Sequence, residues 1–153
     1  MPVKSPPTSR HKPSLFIDAD VLFAGCAGPS EYGASLVLLR MAEITLLDAI
    51  VSQQVIDEAE RNLSAKIPRV LPAFGLIVSR CLQVQPNPAK ELLSLYEGMA
   101  HPADTPILAA AHQYGSPYLV AFNTRHYQPG HPEVAVLTPG EFLMQVRDLL
   151  ARL

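Results

Sequence analysis

Residues 14–25 have the sequence SLFIDADVLFAG, in which a short apolar run ends at two carboxylates. Asp18 and Asp20 are one residue apart, in a chain of which only 17% of the residues are charged. A short apolar run bounded by polar residues predicts a buried β-strand. The two carboxylates therefore either begin a turn or lie at the edge of a sheet, where they can bind something positively charged.

Composition sets the broad class of the protein. The chain has 153 residues, 48% of them hydrophobic, which predicts one globular domain with one core. A net charge of −2 provides no overall field that would attract a polyanion. Cys26 and Cys81 are too few for a disulfide framework, so we interpret both as buried thiols in a reducing compartment. No apolar stretch is long enough to cross a bilayer, and we expect a cytoplasmic protein without membrane contact.

The chain divides into a tail and a domain. Residues 1–13 are basic and proline-rich with little to bury, which predicts a flexible tail. From residue 14 to residue 153, short β-like runs alternate with helical patterns. That alternation predicts a single α/β domain, with a mostly parallel sheet covered by helices.

The individual elements follow from periodicity and caps. We expect strands over residues 14–18, 44–52, 118–123 and 134–137, and either a strand or a connection over residues 81–86. We expect helices over residues 31–42 after Ser30, over residues 53–64 after Ser52, over residues 69–81 and 89–100, between Asp104 and Gly115, and after Thr138. Pro139 at the first helical position and Glu141 at the capping-box position support the last of these helices.

Four polar residues stand where a parallel sheet places its ligands. Asp18 and Asn123 end strands, Asp104 opens a helix, and Glu58 lies in the first turns of the helix after residue 52. Because ligands of open parallel sheets bind beyond the carboxyl ends of the strands, these side chains can share one crevice. A cluster of desolvated carboxylates is tolerable mainly when a cation neutralises it. Oxygen donors favour Mg²⁺ or Mn²⁺, which activate water for phosphodiester hydrolysis.

Each of these residues taken alone also has a purely structural interpretation. Asp18 and Asp20 are common turn residues, Asp104 is a good helix cap, and Glu58 fits a solvated helix face. Only the joint pattern favours a site.

The joint pattern resembles the PIN-domain nucleases. FIDADVL (residues 16–22) resembles the opening strand motif of that family, and VSQQVIDEAERNL (residues 51–63) is similar to its second motif, with the acidic position at Glu58. DTPILAAAHQYGSPYLVAFNTRHY (residues 104–127) resembles the third and fourth motifs, and VAVLTPGEFL (residues 134–143) resembles the end of such domains. The resemblance covers nearly the whole chain from Leu15 onward.

The resemblance implies a compact three-layer α/β/α sandwich and a Mg²⁺- or Mn²⁺-dependent ribonuclease. Asp18, Glu58 and Asp104 would be the acidic metal ligands and Asn123 the fourth polar position, with Asp20 in support. Many small bacterial members are VapC-like toxins, which dimerise and are inhibited by an antitoxin. The resemblance therefore implies an RNA substrate, a homodimer and an antitoxin partner.

The chain departs from the family pattern at the fourth motif. Asn123 stands where an acid is common, and Ala121 replaces a threonine. His126 precedes Tyr127 where many members have another acid before an aromatic residue. Asn123 adds no charge, which puts a second metal ion in question. His126 is either a loop residue or a donor to the scissile phosphate when protonated.

Binding of RNA requires positive side chains near the acidic pocket. Arg125 adjoins the Asn123 motif, while Arg61, Lys66 and Arg69 cluster around the end of the helix that carries Glu58. Each of these four is either a phosphate contact or a solvated surface base.

Three hypotheses remain open at this point. The first is a metal-dependent endoribonuclease, and the second is a catalytically weakened PIN module that binds RNA or protein. The third is a phosphatase, because DAD (residues 18–20) after a strand also resembles the nucleophile motif of haloacid-dehalogenase enzymes. Those enzymes require a catalytic lysine and a later acidic pair, which AFNTRHY (residues 121–127) does not supply. The chain also has no glycine-rich phosphate loop.

Overall fold

Five parallel strands form the centre of the protein in the computed structural model, which describes residues 12–28 and 33–152. The strands are β1 (Ser14–Ile17), β2 (Asp48–Ser52), β3 (Leu82–Gln85), β4 (Tyr118–Val120) and β5 (Ala135–Leu137). Their order across the sheet is β3-β2-β1-β4-β5, and every pairing is parallel. The predicted α/β class with a mostly parallel sheet is confirmed.

Within the described residues, six α-helices connect and cover the strands. They are α1 (Ala19–Ala27), α2 (Ala34–Glu43), α3 (Gln53–Lys66), α4 (Leu71–Cys81), α5 (Thr105–Gln113) and α6 (Pro139–Ala151). Short 3-10 helices cover Pro68–Val70, Lys90–Tyr96 and Thr124–Tyr127. The chain moves through the sheet in one direction from β1 to β3 and in the other from β3 to β5. Since such crossovers are right-handed, α1 to α4 and α5 lie on opposite faces of the sheet.

The centre of the sheet is fully apolar because both of its faces are covered. Leu15, Phe16 and Ile17 of β1 and Leu119 and Val120 of β4 are completely buried. Parallel strands buried on both faces have continuous apolar runs of this kind. The central strands therefore hold the residues that follow them in fixed positions.

Several predicted boundaries differ from those observed. Residues 19–27 form α1, a helix that we did not predict, because this segment is apolar on nearly all sides and shows no helical period. The helix expected over residues 31–42 runs instead over Ala34–Glu43 with Gly33 as its cap. The expected cap, Ser30, lies outside the described residues.

Two strands are shorter than the sequence pattern indicates. The apolar run from residue 44 begins with a turn, in which Thr45 has a φ of 67°, so that β2 starts only at Asp48. β4 ends at Val120, which leaves Phe122 and Asn123 in the loop after it. The helix expected over residues 89–100 is a 3-10 helix over Lys90–Tyr96, and apolar spacing over so few residues does not distinguish it from an α-helix.

Other expectations at the element ends are met. Residues 82–85 are the strand β3, and Gly115 has the positive φ of 71° that ends a helix. Thr138 and Glu141 form the predicted capping box of α6. Ser52 precedes α3, but its hydroxyl makes no cap hydrogen bond and has no partner among the described residues.

The predicted tail lies mostly outside the described residues, which begin at Lys12. Pro13 accepts a hydrogen bond from the backbone of Asp48, and the ammonium of Lys12 lies 3.4 Å from the Asp48 carboxylate. These last two residues of the predicted tail therefore contact β2.

Candidate metal and nucleic-acid site

The strand order places a crevice between β1 and β4. The chain leaves β1 towards β2 on one side and returns to β4 on the other, so the connections diverge at the carboxyl ends of these two strands. Such a switch point is where open parallel sheets bind ligands. Asp18 follows β1 directly, and Phe122 and Asn123 follow β4. The structure therefore brings two of the predicted site segments to the same edge.

Asp18 is the half-buried carboxylate at the end of β1. Its Oδ1 accepts a hydrogen bond from the backbone of Ala19 at 2.7 Å and so caps α1, while its Oδ2 accepts one from the hydroxyl of Tyr127. Burial raises the pKa of Asp18 to about 7, with a further contribution from the negative charges of Asp20 and Asp104. The hydrogen bond from Tyr127 acts in the opposite direction. Near neutral pH, this carboxyl is therefore partly protonated unless a cation neutralises it.

Asp20 faces the same crevice from the first turn of α1. Its Oδ2 accepts a hydrogen bond from the backbone of Phe122 at 3.2 Å, across the switch point. Its Oδ1 is buried and has no hydrogen-bond partner in the described part of the chain. Burial raises the pKa of Asp20 as well, against the hydrogen bonds from neighbouring backbone groups. Asp20 thus has one desolvated oxygen that no described donor neutralises.

Asp104 reaches the site from the start of α5. Its side chain does not cap that helix, contrary to the prediction from sequence, because its Oδ2 lies 2.9 Å from Nδ1 of His126. Nε2 of the same imidazole lies 2.8 Å from the side-chain amide nitrogen of Asn123. These contacts fit a neutral His126 that donates from Nδ1 to Asp104 and accepts from Asn123 at Nε2. His126 therefore occupies one oxygen of a predicted metal ligand.

Stacking and a backbone bond hold His126 in place. The ring of His101 stacks against it, with centroids 5.2 Å apart and planes 25° apart. The backbone N–H of His101 donates to the carbonyl of His126 at 2.6 Å. The loop after β4 is thereby joined to the segment that leads into α5.

Glu58 lies in a cleft beside the carboxylates of the switch point. The cleft has a volume of about 380 Å³. Its lining comprises Gln54, Asp57, Glu58, Arg61, Asn87, Ala103 and Asp104. Glu58 is half-buried on α3, and Asp104 belongs both to this cleft and to the carboxylates of the switch point. The surface that carries the predicted acidic residues therefore has two parts, the cleft with Glu58 and the pair Asp18 and Asp20, and Asp104 belongs to both.

The donor chemistry of this surface suits a hard divalent cation. All the acidic side chains offer oxygen, and Asp20 has an oxygen without a partner. Among residues 12–28 and 33–152, however, no group of three or more His, Cys, Asp and Glu side chains has an arrangement that could hold a metal ion. The present side-chain conformations direct Asp104 to His126 and Asp18 to Tyr127. An ion shared by three carboxylates therefore requires a change in these side-chain conformations.

The four predicted RNA-binding residues are spread over the surface. Arg61 lines the cleft with Glu58, and Arg125 is exposed in the 3-10 helix that carries His126. Lys66 lies 13 residues after the start of α3, about 20 Å along the helix. Its ammonium stands 5.3 Å from the ring centroid of Phe23. Lys66 and the following Arg69 are not among the residues that line the cleft.

Tyr127, Phe122 and His101 contact the site without having been assigned to it from sequence. The motif places an aromatic residue after His126, so sequence could have indicated Tyr127. That its hydroxyl donates to Asp18 is known only from the folded structure. The other two have no signal, because an exposed Phe and a loop His are recognised as part of a site only once their neighbours are known. Cys26 and Cys81, which we expected to be buried, are both half-buried. Burial nevertheless raises the pKa of the Cys26 thiol to about 11, which disfavours the reactive thiolate.

Comparison with known proteins yields structural likeness alone. No family model and no curated protein matches the chain. The chain is similar to the crystal structure of VapBC2 from Rickettsia felis bound to a DNA fragment from its promoter, with a TM-score of 0.61 and 16% identity over 80% of this chain and 96% of that one. It is also similar to VapC20 of Mycobacterium tuberculosis, a toxin that cleaves the sarcin-ricin loop, with a TM-score of 0.56 and 18% identity over 78% of this chain and 98% of that one. At these identities the likeness concerns the fold.

No helix in the described part of the chain has the length and apolar character needed to span a membrane.

Proposed function

Since the chain has the fold of the VapC-like PIN domains, we propose that it is an endoribonuclease that hydrolyses RNA phosphodiester bonds with Mg²⁺ or Mn²⁺. One observation carries the proposal. Asp18 and Asp20 are half-buried at the switch point of the sheet with raised pKa values, and one oxygen of Asp20 is buried without a hydrogen-bond partner. Within the described residues, no Lys or Arg forms an ion pair with either carboxylate. Two desolvated carboxylates without a positive partner lower the free energy of unfolding. Their presence at this edge of the sheet therefore favours a site that binds a cation.

Asp18, Glu58 and Asp104 would hold the ion, with Asp20 in support. The bound ion would lower the pKa of a water molecule and stabilise the charge on the phosphodiester. Asp18 must be ionised to serve as a ligand, and Tyr127 orients it by donating to Oδ2. If Asp104 turned from His126 to the ion, the Nδ1–H of His126 would become free to donate to a phosphate oxygen. Asn123 would keep the imidazole oriented through Nε2.

The solved neighbours support a toxin role for the proposed nuclease. One neighbour is a toxin that cleaves the sarcin-ricin loop, and the other is a complex named VapBC2. We propose that this chain also forms a homodimer and binds an antitoxin, which covers the acidic surface. Light scattering of the purified chain, alone and co-expressed with the protein encoded beside it, measures both. A monomer that forms no complex would contradict these two extensions and leave the nuclease proposal intact.

The decisive experiment is cleavage of a mixed-structure RNA with Mg²⁺ or Mn²⁺. We expect cleavage by the wild type that is lost on addition of a chelator and in the Asp18→Asn variant. Glu58→Gln should reduce the rate by about 10-fold or more, since even the loss of a residue that only orients a metal ligand costs about that much. The matched control is Glu60→Gln, on the same helix but exposed and outside the cleft lining, which should retain wild-type activity. Equal activity in the Asp18 variant and the wild type would reject the site.

A PIN module without efficient catalysis is the second candidate. Two observations favour it, namely the uncharged Asn123 at the fourth position and the absence of a preformed three-ligand group in the described residues. It predicts RNA or protein binding without cleavage, and unchanged binding in the Asp104→Asn variant. Metal-dependent cleavage by the wild type would exclude it.

A further inference from the structure

Ser52 carries a buried hydroxyl that has no hydrogen-bond partner in the described part of the chain. The residue is only 1% exposed, so bulk water does not replace the missing partner. Among the described residues, the other buried side-chain atom without a partner is Oδ1 of Asp20, at the same edge of the sheet. Buried polar groups are nearly always hydrogen-bonded, because an unpaired one destabilises the fold. The hydroxyl of Ser52 is therefore unfavourable for folding in this conformation.

Helix capping does not account for this hydroxyl. Ser52 precedes the first residue of α3, where a serine side chain usually accepts a hydrogen bond from the second or third N–H of the helix. Its side chain makes no such bond. The second N–H, that of Gln54, donates instead to the side-chain oxygen of Asn87 at 2.7 Å. Asn87 thus takes over the capping of α3, and the hydroxyl of Ser52 remains available for another partner.

The register of the sheet places Ser52 beside Asp18. Phe16 of β1 pairs with Ile50 of β2, so the same register two residues later puts Asp18 opposite Ser52. Both residues have extended backbone, with ψ values of 159° and 164°, and so continue the direction of their strands. Because residues opposite each other in paired strands direct their side chains to the same face, the hydroxyl and the carboxylate lie on one face of the sheet.

The residue on the other side of Asp18 has no side-chain donor. Ile17 of β1 pairs with Val120 of β4, so the next residue along β4, Ala121, lies opposite Asp18. Ala121 is fully buried and has only a methyl group. Of the two residues that flank Asp18 in the sheet, Ser52 is therefore the one that can donate a hydrogen bond. Carboxylates that bind metal ions are commonly oriented by such hydrogen bonds from neighbouring groups.

We propose that Ser52 is a positioning residue of the cation site, whose hydroxyl donates to Asp18 when that carboxylate binds Mg²⁺ or Mn²⁺. The side chains of the site must change conformation to share an ion, and a serine hydroxyl reaches a new acceptor by rotation about its Cα–Cβ bond. The hydroxyl that lacks a partner in the present conformation thereby gains one. This inference rests on the proposed function and adds a residue to its site.

The test combines two measurements on Ser52→Ala. Loss of an unpartnered buried hydroxyl should raise the urea midpoint of unfolding in chelator. Loss of a donor to Asp18 should weaken Mn²⁺ binding by about 10-fold or more, measured by electron paramagnetic resonance of the free ion. A serine with a purely structural role would not combine higher stability with weaker binding.

Ser116→Ala is the matched control. Ser116 is similarly buried, but its hydroxyl lies 3.3 Å from that of Ser14, near the amino ends of the strands and away from the site. Its replacement should leave Mn²⁺ affinity unchanged. Ser52→Thr keeps the hydroxyl and should restore wild-type affinity, which assigns the loss in Ser52→Ala to the missing donor.

The outcomes separate this inference from the proposed function. Equal Mn²⁺ affinity in the wild type and Ser52→Ala overturns the inference and leaves the cation site in place. A threonine variant with wild-type stability that binds Mn²⁺ as weakly as Ser52→Ala overturns it too. Weaker binding by Ser52→Ala, with no RNA cleavage by the wild type, upholds the inference and rejects catalysis. Absence of Mn²⁺ binding by the folded wild type rejects the inference and the metal dependence together.

Discussion

The hydroxyl of Tyr127 donates a hydrogen bond to Oδ2 of Asp18, from a residue 109 positions later in the chain. The tyrosine side chain is only 2% exposed, so the bond is shielded from water. Burial raises the pKa of Tyr127, which keeps it a phenol donor at working pH. The bond stabilises the ionised form of Asp18 against the larger effect of its burial, which raises the pKa.

Removal of this hydroxyl should raise the pKa of Asp18 above about 7. In Tyr127→Phe the carboxylate loses a hydrogen-bond donor while its burial is unchanged. The protonated form of Asp18 is therefore favoured over the ionised form. Carbon-13 NMR titration of the aspartate carboxyls in chelator measures the shift directly. Tyr114→Phe is the control, because that hydroxyl bonds the carbonyl of Pro86 instead. An unchanged or lower Asp18 pKa in the Tyr127 variant contradicts the assigned role.

The stability of the metal-free protein should fall as pH rises from about 4 to about 7. The folded-state pKa of Asp18 is raised from 3.8 to about 7, so the folded protein holds a proton that the unfolded chain has already released. Below the unfolded pKa the two states are equally protonated. Above it, the free energy of unfolding decreases until the folded pKa is passed, by roughly 4 kcal/mol from this residue.

Urea unfolding at a series of pH values in chelator measures this dependence. Asp18→Asn keeps a helix-capping side chain but cannot ionise, so its free energy of unfolding should vary much less with pH. It should therefore exceed the wild type in stability above pH 7. Parallel pH profiles for the two proteins would show that Asp18 is not the group responsible.

Arg61 should contribute more to RNA binding than Lys66 or Arg69. It lines the cleft with Glu58 and Asp104, whereas Lys66 lies at the end of α3 and rests over Phe23. Arg61→Ala should reduce the slope of log affinity against log salt by about 1, the effect of one lost phosphate contact. Fluorescence anisotropy of labelled RNA in chelator measures the slope. Arg69→Ala is the control with an expected wild-type slope, and an equal effect of the two variants would place RNA elsewhere.

Gly25 allows the close packing of α1 on α2. A Cβ at this position would lie 2.5 Å from Cδ1 of Leu39, which is itself buried. Gly25→Ala should therefore lower the free energy of unfolding by about 1–3 kcal/mol through overpacking. Gly75→Ala in α4 meets nothing within 4 Å and should instead stabilise the protein by about 1 kcal/mol through helix propensity. Urea unfolding measures both, and a neutral Gly25→Ala would mean that Leu39 moves aside without cost.

The local sequence determined the elements whose signals are short-range. An apolar run predicts β1, and Thr138 with Glu141 predicts the start of α6, because a cap and a strand depend on residues only a few positions apart. Helix α1 was missed, since a helix that is apolar on most sides has no periodic signal. Asp18, Glu58 and Asp104 could be named as a group from sequence because parallel strands bring their carboxyl ends to one edge.

Tertiary structure alone decided how the group is arranged. The order β3-β2-β1-β4-β5 places Asn123 and Phe122 opposite Asp18 and Asp20, and no local signal encodes which strands become neighbours. The pairing of Asp104 with His126, and of Asp18 with Tyr127, likewise depends on side chains far apart in sequence. Sequence thus determined which chemical groups are available and which edge they occupy. Packing determined their partners, burial and pKa values, because those properties depend on contacts that exist only after the chain has folded.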